Sequence, residues 1–311
     1  MCIFVPLTEQ KLSFIMTTGR FAPSPTGRMH LGNMFSALLS WLSAKSKNGR
    51  WLLRIEDIDP QRSRMEYVKL LMDDLQWLGL AWDGEPVFQS QRSDIYEQYY
   101  KILQQQGLTY PCYCTRADLL ATQAPHESDG RVVYPGTCRT KKMENGRPAA
   151  TRLIVADEDI SFIDGHYGIQ TINMAHQVGD YIIRRKDGAW AYQLAVVIDD
   201  GLMGINEVVR GRDLLLSSPQ QISLSRILGF TPPQFIHLPL LVNDAGQRLS
   251  KRDSSLDMGV LRQRHTASEI IGMLACYAGI LPEPQPIMPY QLLNIFSWDE
   301  VPYNDITVNL D

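Results

Sequence analysis

The sequence predicts an α/β protein with a doubly wound parallel sheet, an inserted subdomain that carries cysteines, and a short helical C-terminal part. Two observations support this fold class. In residues 17–107 and 190–252, short apolar runs alternate with stretches of helical periodicity, an order typical of right-handed crossovers between parallel strands. In residues 108–189 the apolar runs shorten and Cys, Gly and Pro become frequent, which indicates an insertion into the core.

The composition is that of an ordinary globular chain, with 44% hydrophobic and 21% charged residues among 311. This length suits about two domains of roughly 150 residues each. No run of about 18 apolar residues occurs, so we expect no membrane partner and a cytoplasmic location. The net charge of -4 excludes a wholly basic surface, so any contact with nucleic acid must come from local patches.

Residues 1–16 are expected to form a disordered leader. Pro6 and Glu9 interrupt its apolar character and no basic stretch precedes it, so a secretory signal is not indicated. Met16 is a candidate for the true start of the chain. Five cysteines are few, and odd in number, so a disulfide framework is not expected.

The first half of the core, residues 17–107, contains the clearest periodicity. The predicted elements are a strand ending at residues 20–22, a turn over 23–27, a helix over 30–47, a strand over 51–55, and helices near 67–78 and 96–106. Glu56 directly follows the second of these strands.

The second half of the core, residues 190–252, begins with a continuous apolar run. We interpret residues 192–198 as a buried strand that ends in two aspartates. The elements predicted after it are a short strand over 204–209, a helix over 214–228 and a strand over 237–242 that enters the loop 243–255. In the C-terminal region, residues 253–311, one helix is predicted over 270–277.

Two separate segments suit a nucleotide. The turn at 23–27 leads into His30 and Gly32 at a helix start, where unpaired N–H groups favour phosphate and a glycine leaves room for a flat ligand. The segment 248–252 adds three cations in a loop. Each segment alone is equally typical of a helix start or a solvated loop without a role, and neither of the common glycine-rich phosphate motifs is present.

Taken together, PSPTGRMHLGN and the later RLSKR resemble the two nucleotide motifs of class I aminoacyl-tRNA synthetases. RFAPSPTG, RIEDID and YQLAVVIDD narrow this resemblance to the glutamyl branch, and it extends from Gly19 to Arg252. Two departures are Asn33, where a histidine is commoner, and RLSKR, which has Leu249 and Arg252 in place of the generic residues. Both are compatible with the glutamyl branch.

The resemblance implies a class I synthetase catalytic core that binds ATP, with Mg²⁺ arriving with the nucleotide. The residues implied to bind ATP are His30, Gly32, Asn33, Ser250 and Lys251. His30 and Lys251 are the implied catalytic residues. They would stabilise charge on the triphosphate while a carboxylate attacks, without a covalent enzyme intermediate.

An acidic amino acid needs cations for two carboxylates and an acceptor for its ammonium group. Arg20 and Arg210 follow predicted strands, where side chains border the ligand crevice of such sheets, and arginine binds carboxylates bidentately. The resemblance implies that six residues contact L-glutamate: Arg20, Ala22, Ser24, Glu56, Tyr192 and Arg210. The alternative for each arginine is a surface ion pair. Asp57 and Asp59 are interpreted as capping residues before Pro60 rather than as metal ligands.

Three cysteines, Cys112, Cys114 and Cys138, offer thiolates for structural zinc, which prefers four ligands. From chemistry alone, His126 is the candidate for the fourth ligand. The family resemblance implies Tyr134 instead, in a Tyr-x3-Cys arrangement. The alternative is three reduced cysteines that pack as small apolar side chains. Cys276 is expected in the core.

Glutamyl synthetases continue into an anticodon-binding region, whereas 59 residues follow Arg252 here. Among relatives of this branch, those without that region activate glutamate with ATP in the absence of tRNA. They then transfer it to the cyclopentenediol of queuosine at the wobble position of tRNA(Asp). The resemblance implies this function and partner for the chain, as a monomer. The alternatives are charging of the 3′ end of tRNA(Glu) and a non-catalytic paralogue that binds nucleotide or RNA.

An enzyme that acts on the anticodon loop needs cations for RNA phosphates. The candidates are Arg139, Lys141, Lys142, Arg184, Arg185, Lys186, Arg262 and Arg264. A solvated face is the alternative for each of these groups.

Overall fold

The computed structural model describes residues 16–115, 118, 133–141, 146–249 and 256–308. Most of the predicted leader therefore lies outside the described residues. Among the described residues, no helix is long and apolar enough to cross a membrane.

The first parallel sheet is built by the N-terminal part of the chain. Its strands, paired in this order, are β1 (Thr18–Phe21), β2 (Arg50–Ile55) and β3 (Val87–Phe88). The helices between and after them are α1 (Leu31–Lys45), α2 (Met65–Trp77) and α3 (Ser93–Gln105). The predicted alternation of strands and helices is confirmed here. The apolar residues of α1 and β2 form the centre of the larger core, since Leu38 and Leu53 are completely buried.

Antiparallel pairing replaces parallel pairing after α3. One sheet has the order β4 (Thr109–Cys112), β5 (Ala150–Leu153) and β8 (Tyr181–Arg184). A hairpin pairs β6 (Asp159–Asp164) with β7 (Gly168–Asn173). The end of β6 reaches the second part of the core, because the amide N–H of Gly165 donates to the carbonyl of Phe235 at 2.8 Å.

The second parallel pair joins β9 (Glu207–Gly211) and β10 (Gln234–Leu238), with helix α5 (Ser218–Ile227) between them. It lies beside β1, because Thr18 and Asn206 exchange hydrogen bonds of 2.7 and 3.0 Å. The strands of both parallel sheets thus end near one edge, where the predicted site residues lie.

The predicted strand over 192–198 is wrong. This segment is helix α4 (Tyr192–Leu202), and all residues from Leu194 to Asp200 in it are buried. A helix that is apolar on every side has no 3.6-residue pattern, so its sequence looks like that of a buried strand. The β-branched residues Val196, Val197 and Ile198 strengthened that interpretation.

The C-terminal part packs against helix α1. It contains β11 (Leu241–Val242), which pairs in parallel with β12 (Ile306–Thr307), and helices α6 (Met258–Arg264), α7 (Ala267–Tyr277) and α8 (Pro289–Leu292). The predicted helix over 270–277 is confirmed. It begins three residues earlier, at Ala267, because Thr266 and Glu269 cap each other's backbone N–H groups.

Candidate active site

A cleft of about 430 Å³ opens at the carboxyl ends of β1, β2 and β9. All six side chains predicted to contact the amino acid line it, together with His30 and Asn33. These residues come from five elements or their flanking turns, so the fold gathers positions that are up to 190 residues apart. The end of a parallel sheet is where α/β proteins bind ligands.

Arg210 is a buried cation without a carboxylate partner. It is 5% exposed and forms no ion pair within the part of the chain that the structure describes. Its donors instead meet neutral groups: Gln221 Oε1 at 2.8 Å, Ser218 Oγ at 2.7 Å, and His237 Nε2 at 3.1 Å. Burial lowers the pKa of Arg210. Because burying an uncompensated charge is costly, this arrangement favours an anion in the cleft.

Arg20 is also 5% exposed and lines the same cleft. Its Nε is 3.5 Å from Asp200 Oδ1, its one ion pair among the described residues. Both predicted carboxylate-binding arginines are therefore buried cations, and neither binds a described carboxylate through two of its nitrogens. The alternative of a surface ion pair is wrong for both.

Glu56 and Asp200 share a third arginine that the sequence analysis did not identify. Arg54 is completely buried and donates to Asp200 Oδ1 at 2.6 Å and to Glu56 Oε1 at 3.2 Å. Burial raises the pKa of Glu56 despite the neighbouring Arg54 and Arg20. For Asp200, burial acts in the same direction, but Arg54 and Arg20 outweigh it and the pKa is lowered. The pKa values of the two carboxyl groups are therefore shifted in opposite directions.

Asp199, the neighbour of Asp200 in α4, points to the other side of Arg54. It accepts hydrogen bonds from Arg92 at 2.6 Å and from Gln89 and Tyr96 at 2.8 Å. The two aspartates that were predicted to end a strand therefore anchor the helix against β2 and α3. The signal for this role was Arg54 itself, because a charged residue in an otherwise apolar strand must find a partner.

Tyr192 is the first residue of α4 rather than the start of a strand. Its hydroxyl lies 3.5 Å from Arg210 Nη1. This contact is long for a hydrogen bond, and the same nitrogen is held more closely by Gln221 Oε1, at 2.8 Å.

The nucleotide side of the cleft lies at the N-terminus of α1. His30 is 8% exposed, and its backbone N–H donates to Asn33 Oδ1 at 3.0 Å, so Asn33 caps the helix. A Cβ on Gly32 would lie 3.1 Å from Cε1 of His30, so the glycine makes room for this ring. A smaller cavity of about 90 Å³ continues the cleft from His30 to Leu249. Ser250 and Lys251 lie outside the described residues.

The sulfur atoms of Cys112, Cys114 and Cys138 lie within 4.8 Å of one another. The Tyr134 hydroxyl is 3.5 Å from Cys112 Sγ and 3.6 Å from Cys114 Sγ, and Cys114 Sγ is 3.5 Å from Cys138 Sγ. A tetrahedral zinc with Zn–S bonds of about 2.3 Å requires edges of roughly 3.8 Å, slightly less where oxygen replaces sulfur. The four groups therefore fit one metal ion. His126 lies outside the described residues.

Arg152 supplies the positive charge beside this cluster. Its Nε donates to Cys112 Sγ at 3.2 Å, and its guanidinium carbon lies 3.6 Å from the centre of the Tyr134 ring. Cys138 has its pKa lowered to about 7, because the Tyr134 hydroxyl and a backbone N–H outweigh the effect of burial. Sequence analysis did not identify Arg152, which lies 14 residues after Cys138 without a recognisable spacing.

Half of the eight cations suggested for RNA are paired within the chain. The pairs are Arg139 with Asp180, Arg184 with Glu97, Arg185 with Asp59 and Asp187, and Arg262 with Asp73 and Asp74. Lys141, Lys186 and Arg264 form no ion pair with described residues, and Lys142 lies outside them. The geometry therefore leaves three of the described candidates without a carboxylate partner in the described part of the chain.

Comparison with known proteins identifies the family to which this arrangement belongs. Residues 16–283 match the family described as "tRNA synthetases class I (E and Q), catalytic domain". The chain is 42% identical to the "Glutamyl-Q tRNA(Asp) synthetase" of Nitratidesulfovibrio vulgaris, over 95% of this chain and 97% of that one. It is also 42% identical to the protein of the same name from Neisseria meningitidis, over 94% and 99%.

Among solved structures, the chain resembles a glutamate tRNA ligase from Elizabethkingia meningosepticum, solved in complex with its amino acid. The TM-score is 0.79 and the identity 26%, over 94% of this chain and 67% of that one.

Proposed function

This chain belongs to the class I tRNA synthetases of the glutamyl and glutaminyl type and is therefore a ligase, and on that premise we propose that it activates L-glutamate with ATP and transfers it to queuosine in tRNA(Asp). Activation proceeds without tRNA. The acceptor is the cyclopentenediol of queuosine at the wobble position.

One observation carries the choice of amino acid. Arg20 and Arg210 are buried on the walls of one cleft and have no carboxylate of the chain bound bidentately within the described residues. A substrate with two carboxylates supplies the missing negative charges, whereas glutamine supplies only one. Glu56, in the same cleft, accepts the ammonium group. Ala22, Ser24 and Tyr192 complete the pocket.

ATP binds at the N-terminus of α1, through His30, Gly32 and Asn33, and through Ser250 and Lys251 of the later motif. His30 and Lys251 hold charge on the triphosphate as the substrate carboxylate attacks the α-phosphorus, with pyrophosphate leaving. Mg²⁺ enters with the nucleotide. The helix N-terminus adds a favourable partial charge for phosphate at this position.

Cys112, Cys114, Tyr134 and Cys138 hold a structural zinc ion. When bound, the ion fixes the loops around β4 and β5 to each other. Arg152 offsets part of the negative charge of three thiolates and a phenolate, which supports an all-anionic ligand set.

The chain is organised as a Rossmann-like sheet in two halves, residues 17–107 and 190–252, divided by the insertion 108–189. The described residues 256–308 form a short helical region. The three-stranded parallel sheet β1–β2–β3 and the two-stranded parallel sheet β9–β10 support this division. The protein acts as a cytoplasmic monomer.

The decisive experiment is incubation with labelled glutamate, ATP and tRNA(Asp), with or without queuosine. We expect glutamate-dependent exchange of pyrophosphate into ATP without tRNA, and label only on the modified tRNA. Label on the 3′ end of tRNA(Glu) would instead identify an ordinary charging enzyme. Absence of both exchange and label would identify a non-catalytic paralogue.

A further inference from the structure

Arg210 is held by a chain of buried hydrogen bonds that begins in the insertion. Asp164, the last residue of β6, lies 2.6 Å from Nδ1 of His237 in β10, and His237 Nε2 lies 3.1 Å from Nε of Arg210. The side chains of Asp164 and His237 are completely buried. The cleft itself contains only the last member of this chain.

The hydrogen-bond partners of His237 determine which of its two ring nitrogens carries the proton. A guanidinium has no acceptor, so its bond to His237 requires a lone pair on Nε2. The proton therefore resides on Nδ1, and this N–H donates a hydrogen bond to Oδ2 of the Asp164 carboxylate. Ser218 Oγ lies 3.3 Å from the same Nε2 and accepts from Arg210 Nη2 at 2.7 Å, so its own proton is free to point at the imidazole. In a doubly protonated imidazole, the N–H at Nε2 would face the N–H at Nε of Arg210, and neither group could accept a hydrogen bond.

Asp164 is itself fixed by the turn that follows β6. Its Oδ1 accepts the backbone N–H groups of His166 at 3.0 Å, Tyr167 at 2.9 Å and His237 at 3.2 Å. Burial would raise the pKa of this carboxyl, but His237 and the backbone donors outweigh it and the pKa is lowered. The turn thus presents an ionised carboxylate, in a fixed orientation, to the imidazole.

We propose that Asp164 and His237 are positioning residues for glutamate: by holding the Nδ1-protonated imidazole against Nε of Arg210, they fix that guanidinium in the orientation in which it lines the cleft. The inference rests on the proposed function, because it assigns Arg210 to a substrate carboxylate. It also makes the insertion part of the amino-acid site, through one carboxylate that does not itself reach the substrate.

Asp164→Asn is the sharpest test. The amide oxygen retains the three backbone bonds, but the amide nitrogen donates to Nδ1 and drives the imidazole proton to Nε2, against Arg210. We expect KM for glutamate in pyrophosphate exchange to rise about tenfold or more, as for loss of a hydrogen bond to a charged group. KM for ATP should change less than about threefold, since neither Asp164 nor His237 is among the described residues that line the cavity on the nucleotide side.

Asp305→Asn is the matched control. Asp305 also accepts a backbone N–H, from Leu240, and pairs with an arginine, Arg212, but it does not contact Arg210 or His237. Its KM for glutamate should stay near that of the wild type. A KM for glutamate that is unchanged in folded Asp164→Asn would overturn the proposal. So would an equal rise for ATP and glutamate, which indicates a general structural loss.

A second measurement does not depend on activity. Long-range ¹H–¹⁵N correlation spectra of the imidazoles, with His237 assigned by its loss in His237→Gln, report which nitrogen carries the proton. We expect Nδ1 in the wild type and Nε2 in Asp164→Asn. An Nε2-protonated or doubly protonated His237 in the wild type at neutral pH would overturn the geometry. The wild type could instead show the Nδ1 tautomer but no glutamate-dependent exchange of pyrophosphate into ATP. That result would refute the proposed function, and with it the role of Arg210 in binding glutamate.

Discussion

Nη1 of Arg54 lies 2.6 Å from Oδ1 of Asp200, and both residues are buried although 146 positions separate them. This bond joins strand β2 to helix α4 directly beneath the cleft. Asp200 in turn faces Arg20, at 3.5 Å. The guanidinium that is proposed to bind substrate is therefore positioned by a carboxylate that a second, completely buried guanidinium holds in place.

Replacing Arg54 with methionine should strongly destabilise the fold. The substitution leaves three carboxylates, Glu56, Asp199 and Asp200, buried around an apolar side chain, and breaking a buried ion pair in this way costs roughly 3–5 kcal/mol. Urea unfolding measures the loss. Arg185→Met is the control, because its exposed pairs with Asp59 and Asp187 should contribute less than about 1 kcal/mol. Similar losses in the two variants would contradict the central role of Arg54.

The two cleft arginines should be needed for activity and not for folding. For Arg20→Ala and for Arg210→Ala, we expect kcat/KM for glutamate in pyrophosphate exchange to fall about a hundredfold or more. Removing one partner of a buried charged pair costs roughly 2–5 kcal/mol. Arg212→Ala, which loses an exposed pair with Asp305, should retain exchange. Near-normal exchange in both cleft variants would refute the glutamate pocket.

The sequence predicted the residues of the cleft better than the elements that carry them. Motifs and apolar periodicity were enough to place Arg20, Glu56 and Arg210 near one sheet edge, because parallel strands end together. Tyr192 was assigned to the pocket although its helix was mistaken for a strand. In that segment every face is buried, so no periodicity distinguished the two structures.

The residues that sequence analysis missed act through partners far away in the chain. Arg54 meets Asp200, Asp164 meets His237, and Arg152 lies against Tyr134. Such pairs depend on tertiary packing and have no fixed spacing. The one sequence signal for Arg54 was a charged residue in an apolar strand, because a buried charge is costly without a partner. Nothing in the local sequence indicated which residue that partner is.

Asp180 should make the free energy of unfolding of the insertion depend on pH in the acidic range. Burial alone would raise the pKa of its carboxyl, but Arg139, Tyr110 and the N–H of Val155 outweigh burial and lower it. Because the folded pKa lies below the unfolded value of about 3.9, the carboxylate adds stability that is complete above that pH. This stability is lost as pH falls through the folded pKa.

Asp180→Asn should therefore be less stable than the wild type at pH 7, and the difference between the two should shrink below about pH 4. Urea unfolding at a series of pH values measures this difference. Asp187→Asn, at an exposed position, should show no comparable trend. A difference that is the same at every pH would show that the charge of Asp180 does not contribute.

Tyr134 should strengthen metal binding without being indispensable to it. Burial and hydrogen bonds with the cysteines raise the pKa of the phenol, and a bound cation would favour the phenolate. We expect about one zinc per chain in protein purified without a histidine tag. Tyr134→Phe keeps the three thiolates and should lose zinc to a chelator faster than the wild type. Cys138→Ser should lose zinc faster still than Tyr134→Phe.

The comparison of these variants distinguishes a ligand from a packing role. If Tyr134 only packs against Arg152, its phenylalanine variant retains the ring, and zinc release should be unchanged. If the phenolate is the fourth ligand, release accelerates because water must replace a charged oxygen. Cys276→Ser, outside the cluster, controls for the loss of a thiol. A zinc ratio near zero in the wild type would remove the site and leave three reduced cysteines.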